Sequence, residues 1–196
     1  MKKCFLFLLV SALAVSAAAQ ATCPGGYYGN VILGAGLGSG QDGKYHQDFN
    51  RVLSCDTLYT LTGIYYVDPG YSLTIEPGTT IIGDDAATII VVRGGQIFAE
   101  GTPECPIVFT SMQPMGERSR GDWGGIIILG NAPTNQSPPG PYVEGGLLND
   151  EATDPFREDE FGGTDPEDDS GVFAYCRIEF PGYRFELNNE VNGLTM

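Results

Sequence analysis

The sequence predicts an all-β protein whose chain coils into a parallel β-helix. Short segments rich in β-branched and aromatic residues alternate with turns that contain Gly, Pro or Asp, which is the pattern of strands joined by tight turns. No helical periodicity interrupts these segments. The predicted strands are residues 58–67, 72–75, 80–82, 88–92, 96–99, 107–111 and 126–129.

One sequence phrase occurs twice, at an offset of 24 residues. The stretch from Leu73 to Thr79 matches the stretch from Ile97 to Thr102, apart from the inserted Pro77. A strand-and-turn unit repeated every 20 to 50 residues or so indicates a solenoid, in which each coil covers the apolar face of the next. We therefore expect Leu73 and Ile97 to stack in the core.

A second offset, of 17 residues, superposes Ile75, Val92, Phe109 and Ile126. It aligns only apolar residues, which any β-rich sequence offers, so we favour the offset of 24.

Turn chemistry explains the rest of the repeated phrase. We expect Gly78 and Gly101 to supply a positive φ at a corner. Glu76 and Glu100 are then corner residues rather than an acid/base pair.

Several stretches resemble secreted bacterial right-handed β-helix proteins of the pectin-lyase-like superfold. They are residues 72–83, 101–111, 121–126 and 170–180. The resemblance runs from about Tyr59 to the end and implies a right-handed coil. Members of this group are mostly uncharacterised cell-surface or secreted proteins, often with a C-terminal sorting domain for type IX secretion. No such domain is present before Met196, so we expect the chain to be truncated at its C-terminus.

The first 20 residues have the order of a secretory signal peptide. Lys2 and Lys3 precede an apolar run over residues 5–15, and small residues follow. We expect cleavage near Ala19 or Ala21 and a secreted or outer-surface location. The run is too short to span a membrane, and no later window is long and apolar enough. Thr22 before Cys23 disfavours a lipoprotein signal.

The predicted organisation has three parts. Residues 1–20 form the signal peptide, 21–56 a Gly-rich N-terminal linker or cap, and 57–196 the coils, with a Pro-rich insertion at 132–142 and an acidic insertion at 145–171. Four cysteines remain after cleavage, and disulfides are expected in an oxidising compartment. Their spacing does not choose among the three possible pairings of Cys23, Cys55, Cys105 and Cys176.

Charge excludes a nucleic-acid partner. The net charge is −15, and removal of Lys2 and Lys3 leaves 8 basic against 25 acidic residues, or −17. Nucleic-acid binding needs clustered Lys and Arg, whereas the basic residues here are scattered.

The acidic segment is the best candidate for a metal site. Ten carboxylates lie between Asp150 and Asp169. Calcium takes six to eight or so oxygen ligands from carboxylates, carbonyls and water, and Asp165, Glu167, Asp168 and Asp169 are the candidate calcium ligands. The alternative is a solvated acidic loop, because the EF-hand pattern is absent. A bound ion would order the insertion.

No catalytic group is assigned by the sequence. His46 is the only histidine and lies in a polar stretch, which indicates a solvated loop residue. Strand alternation places Arg177 and Glu179 on one face, where a surface ion pair is the favoured interpretation. Asp122 is expected to cap a turn and Trp123 to pack.

Since no catalytic group is assigned, the function is predicted from the fold class and from the side chains expected at the surface. We favour a non-enzymatic, secreted or cell-surface module with structural or adhesion-like roles and a glycan or cell-surface partner. The alternative is a polysaccharide lyase or hydrolase on the same scaffold, with calcium as a possible cofactor; lyases of this superfold use an Arg or Lys base beside carboxylate-held calcium. Exposed aromatics beside paired carboxylates would favour the enzyme, and a face of small polar residues the structural role. Tyrosines that could stack on sugars are Tyr65, Tyr71, Tyr142, Tyr175 and Tyr183.

Overall fold

The strands wind in successive coils and stack into three parallel sheets, named A, B and C in the order in which the chain enters them. The computed structural model describes residues 23, 26–34, 44–135, 142–143, 159–186 and 189–196. The signal peptide predicted at 1–20 lies outside these residues. Within them the chain is all-β and forms a parallel β-helix, which confirms the predicted fold class.

The sheets are built as follows. Sheet A contains β1 (Gly29–Gly34), β4 (Thr57–Thr62), β7 (Thr80–Gly83), β10 (Ile107–Ser111) and β13 (Cys176–Ile178), in that spatial order. Sheet B contains β2 (Lys44–Gln47), β5 (Ile64–Val67), β8 (Thr88–Val91), β11 (Gly125–Ile128) and β16 (Leu194–Thr195). Sheet C contains β3 (Arg51–Leu53), β6 (Ser72–Ile75), β9 (Gln96–Glu100) and β12 (Gly171–Ala174). An antiparallel pair, β14 (Arg184–Glu186) and β15 (Asn189–Glu190), lies between β13 and β16.

The register confirms the stacking predicted from the repeated phrase. Leu73 on β6 is the register partner of Ile97 on β9, at the offset of 24, and both are buried in the core. The offset of 17 has no counterpart in the pairing. Phe109 instead lies opposite Ile81, and Ile126 opposite Ile89.

Inward side chains of the three sheets fill one continuous core. Alternation along each strand sends every second residue inward, as with Tyr59 and Leu61 on β4. Each coil leaves an apolar ring that the next coil covers, and a fully buried Leu or Ile contributes about 1.5 to 3 kcal/mol. This repeated burial holds the coils in register.

The range 21–56, predicted as a linker or cap, includes three strands of the first coil. Strands β1, β2 and β3 pair in parallel with β4, β5 and β6. The apolar segment of β1, residues 31–33, is short, and the strand forms by pairing with β4. Gly34 fits this approach because a Cβ there would overlap the Thr62 carbonyl. The rest of the glycine run, residues 35–43, lies outside the described part.

The two glycines of the repeated phrase serve different purposes. Gly78 has a φ of 85°, as predicted for a corner. Gly101 is not among the positive-φ glycines, so that part of the prediction is wrong. A Cβ at Gly101 would lie 2.5 Å from the Tyr175 carbonyl oxygen. Close approach of the next coil, rather than a positive φ, therefore favours glycine at position 101.

The outer face of sheet B is apolar and covered. Tyr66, Ile90 and Ile127 align across β5, β8 and β11, alternate with core residues and are buried. The side chains that pack over this second cluster come from two long connections: Val143 and Phe161 from the β11–β12 connection, and Phe185 and Val191 from the β13–β16 connection. Both predicted insertions fall within the β11–β12 connection.

Candidate functional site

The corner at which the chain enters sheet A carries an exposed tyrosine at each end of the sheet. Tyr28 precedes β1 by one residue, and Tyr175 precedes β13 by one residue. Pairing across the five strands brings Gly29 and Cys176 to equivalent positions, so the two tyrosines share one register position. Four strand spacings separate them, or about 19 Å.

Three tyrosines form this exposed row, which we call the tyrosine edge: Tyr27, Tyr28 and Tyr175. Their exposed fractions are 46%, 92% and 61%. The Tyr27 hydroxyl donates to Thr80 Oγ1 at 2.6 Å, and the Tyr28 N–H donates to the Asp56 carbonyl at 2.8 Å. Tyr27 and Tyr28 were not among the predicted residues, because their alignment with Tyr175 depends on the lengths of all the coils between them.

A disulfide anchors the start of the tyrosine edge. Cys23 is bonded to Cys105, with Cα atoms 5.5 Å apart, which resolves the pairing that the sequence left open. The bond lies against Gly78, where an added Cβ would contact both cysteines. The segment before β1 is thus fastened to the third coil.

Cys55 and Cys176 are free thiols in the described part of the chain. Cys55 precedes β4 and Cys176 lies on β13, three strand spacings away, or about 14 Å, which is beyond the reach of a disulfide. Burial raises the pKa of the Cys176 thiol to about 11. Burial, followed by the neighbouring Glu76 carboxylate, also raises the pKa of Cys55. Both thiols are therefore protonated and unreactive near neutral pH.

Beside the tyrosine edge, the outer face of sheet A from β4 to β10 carries small polar and aliphatic side chains. Two rows cross the strands: one runs from Leu58 through Thr80 to Val108, and the other includes Thr60 and Ile82. No large acidic or aromatic group projects from these positions. At β13 the first row ends in Arg177.

The charged groups of sheet A are bonded to one another. Arg177 and Glu179 form the predicted ion pair, through Nη2 and Oε1. Glu179 Oε2 accepts from Thr110 Oγ1 at 3.0 Å, and Arg118 Nη1 donates to the same hydroxyl at 3.2 Å. Both carboxylate oxygens of Glu179 therefore take part in bonds, Oε1 with Arg177 and Oε2 with Thr110.

The turn before β11 is fixed as predicted. Asp122 accepts hydrogen bonds from Ser111 Oγ at 2.6 Å and from the Ser119 N–H at 2.9 Å. Burial alone would raise the pKa of Asp122, but these hydrogen bonds outweigh it and the pKa is lowered. Trp123 is buried, and its indole N–H donates to the Glu179 carbonyl at 2.8 Å.

The predicted calcium ligands lie in the turn that leads into β12. Asp165 Oδ1 accepts from the Glu167 N–H, Asp168 Oδ2 from the Asn131 N–H, and Asp169 Oδ1 from the Gly171 N–H. Glu167 is exposed to solvent. Three of the carboxylates thus bond to backbone groups of the loop and its neighbours.

In the part of the chain described, no three Asp, Glu, His or Cys side chains form a group that could hold a metal ion. Calcium at Asp165, Glu167, Asp168 and Asp169 stays a prediction. The loop is also clamped by Arg93, which donates to Glu160 Oε2 at 3.1 Å and to the Gly162 carbonyl at 2.9 Å.

His46 lies on strand β2 rather than in a loop, which corrects the sequence interpretation. Its Nδ1 is 2.8 Å from Asp68 Oδ1, and its ring stacks on Tyr66 with centroids 4.7 Å apart. Asp68 and Tyr66 therefore fix the orientation of the His46 ring.

The five tyrosines proposed for sugar stacking do not form one surface. Tyr65 is fully buried, bonded to Gln47 Oε1, and burial raises its pKa to about 12. Tyr71 lies at the B–C corner, and Tyr142 and Tyr183 lie in the connections beside sheet B. Only Tyr175 belongs to the tyrosine edge.

A family model described as a pectate-lyase like beta helix domain matches residues 43–196. The chain belongs to this family. The match begins just before β2 and covers all later strands of the pectate-lyase-like β-helix. No match was found among curated proteins or among solved structures. Membership establishes the scaffold of the domain, and its activity depends on the residues displayed on that scaffold.

No helix long and apolar enough to cross a membrane occurs among the residues that the structure describes.

Proposed function

We propose that this pectate-lyase-like β-helix is a non-enzymatic interaction module, secreted or held at the outer cell surface, that binds extended glycan chains along the tyrosine edge. The observation that carries the proposal is the shared register position of Tyr28 and Tyr175 at the two ends of sheet A. A polymer lying across the strands can contact both.

The chemistry of the tyrosine edge suits a sugar chain. Tyrosine presents an apolar ring that stacks on the faces of sugar rings and a hydroxyl that hydrogen-bonds to their hydroxyl groups. It has few rotatable bonds, so ordering it on binding costs little entropy. Tyr28 and Tyr175 are 92% and 61% exposed, so both rings are accessible to a ligand.

The bonding of the charged groups supports binding without catalysis. Glu179 has both oxygens occupied, and Arg118 and Arg177 are bonded to Thr110 and Glu179. A general acid or base must instead reach the proton that it transfers.

The disulfide supports an extracytoplasmic location. A structural disulfide such as Cys23–Cys105 is typical of proteins in an oxidising compartment, as expected after export. It also leaves Cys23 without a thiol that could accept a lipid.

The test is to measure binding and cleavage with the mature chain on a panel of neutral and acidic polysaccharides. Retardation in affinity gels without release of reducing ends or unsaturated products supports the proposal. A matched set of variants, Tyr28→Ala and Tyr175→Ala against Tyr71→Ala, locates the binding. Catalytic cleavage would establish the lyase or hydrolase alternative. Retardation that the edge variants leave unchanged would contradict the proposed surface.

A further inference from the structure

A polar groove lies at the corner between sheets A and B, away from the tyrosine edge. Its volume is about 640 Å³. One wall is the turn between β10 and β11, and the other is the connection between β13 and β16. The lining residues are Arg120, Gly121, Pro181, Gly182, Tyr183, Arg184, Val191, Asn192 and Gly193.

The walls of the groove are fixed to each other by backbone hydrogen bonds. The Gly121 N–H donates to the Pro181 carbonyl at 2.9 Å, and the Tyr183 N–H donates to the Trp123 carbonyl at 3.0 Å. Gly182 donates to the Gly124 carbonyl at 2.9 Å. Since the groove is already formed, a ligand pays little ordering cost on entering it.

Two arginines give the groove a positive character in an acidic protein. Arg120 and Arg184 are both exposed and line the groove. Neither forms an ion pair with another described side chain, whereas Arg93 and Arg177 pair with Glu160 and Glu179.

The nearby carboxylates leave these guanidinium groups available. Asp122 is bonded to Ser111 and Ser119, and Glu179 to Arg177 and Thr110.

We propose that this groove binds a tetrahedral oxyanion, a sulfate or phosphate group, through Arg120 and Arg184. Guanidinium groups bond such oxygens in pairs, and two arginines on opposite walls can each take a different pair of oxygens of a tetrahedral group. A planar carboxylate offers only two oxygens in one plane. The Tyr183 hydroxyl and the Asn192 amide are the neutral polar groups of the same lining. This site is independent of glycan binding at the tyrosine edge.

The experiment is an NMR titration of the mature chain with sodium sulfate, sodium phosphate and sodium acetate, with total ionic strength held constant by chloride. Saturable shifts of Arg120, Gly121 and residues 182–184 with sulfate or phosphate are expected, and weaker shifts with acetate. Whichever of sulfate and phosphate binds more tightly identifies the ligand group. Equal affinity for acetate, or shifts that do not saturate, would overturn the proposal.

Variants separate the groove from the overall charge. Arg120→Gln and Arg184→Gln should each weaken binding about tenfold, because each removes a charged hydrogen-bond donor. The control is Lys44→Gln, which removes one positive charge at the far end of sheet B. An equal loss in the control would show a charge effect without a site and would overturn the proposal, as would unchanged binding in both arginine variants. A folded state is checked by the dispersion of the same spectra.

Discussion

Tyr28 and Tyr175 are 147 positions apart in the sequence but occupy the same register position of the β-helix, one residue before the first and the last strand of sheet A. The intervening strands set their separation at about 19 Å. The parallel β-helix therefore holds these two exposed rings at a defined spacing. The tyrosine edge depends on the coils and on the disulfide that fastens its first residues.

Loss of the disulfide should destabilise the whole domain. Cys23→Ser opens a loop with a sequence separation of 82, for which the chain-entropy relation gives about 4.5 kcal/mol of stabilisation. Urea unfolding should therefore shift to lower midpoints, while Cys55→Ser, which removes a free thiol, should change little. The interpretation fails if the two variants unfold together, or if a reducing agent leaves the wild-type midpoint unchanged.

The stacking of Leu73 on Ile97 should be measurable as an energetic coupling between the two residues in a double-mutant cycle. Leu73→Ala or Ile97→Ala should each cost about 2 to 5 kcal/mol, because each leaves a cavity in the core. The outward neighbour Thr74 supplies the control, and Thr74→Ala should cost within about 0.5 kcal/mol. The double variant should depart from additivity, since the two side chains are in contact. Additive losses, or a Thr74→Ala loss as large as the core losses, would refute the register.

Acidification should remove the contribution of Asp122 to the free energy of unfolding. Hydrogen bonds lower its pKa in the folded state, so its stabilisation is complete above the unfolded value of about 3.9 and is lost as the pH falls through the folded-state pKa. Asp122→Asn should cost about 1 to 2 kcal/mol at pH 7. Urea midpoints of wild type and variant should converge under strongly acidic conditions. A gap that stays constant with pH, or that also occurs for the exposed Glu117→Gln, would contradict this role.

Calcium is tested by thermal unfolding of the mature chain after EDTA treatment. If Asp165, Glu167, Asp168 and Asp169 bind the ion, millimolar calcium should raise the Tm, with a stabilisation of about 2.7 kcal/mol when calcium exceeds its Kd a hundredfold. Asp165→Asn combined with Asp168→Asn should abolish the rise, and magnesium should not reproduce it. An unchanged Tm would identify the segment as a solvated acidic loop.

The fold was predictable where the sequence repeats itself. The phrase shared by residues 73–79 and 97–102 predicts the pairing of Leu73 with Ile97 that the register shows, although the turns after the two strands differ at Gly78 and Gly101. The buried outer face of sheet B also left a signal: the unbroken apolar runs at 89–92 and 126–129 are typical of strands buried on both faces. Such runs predict that other parts of the chain cover the outer face of sheet B, as Phe161 and Phe185 do.

The tyrosine edge was not predictable in the same way. Successive strands of sheet A are offset by 28, 22, 28 and 69 residues, because the connections between them differ in length. No single sequence period aligns Tyr28 with Tyr175. Similarly, β2 and β3 of the first coil have only four and three residues and few apolar side chains, so pairing with the second coil is what defines them.

The most direct test of the central claim is the dependence of affinity on ligand length. Oligomers of the polysaccharide that the mature chain retains should bind weakly until they can reach from Tyr28 to Tyr175, about 19 Å, and their affinity should then rise sharply. In Tyr175→Ala that rise should disappear, while short oligomers bind as before. Affinity that is independent of length, or a rise that survives in Tyr175→Ala, would contradict the account.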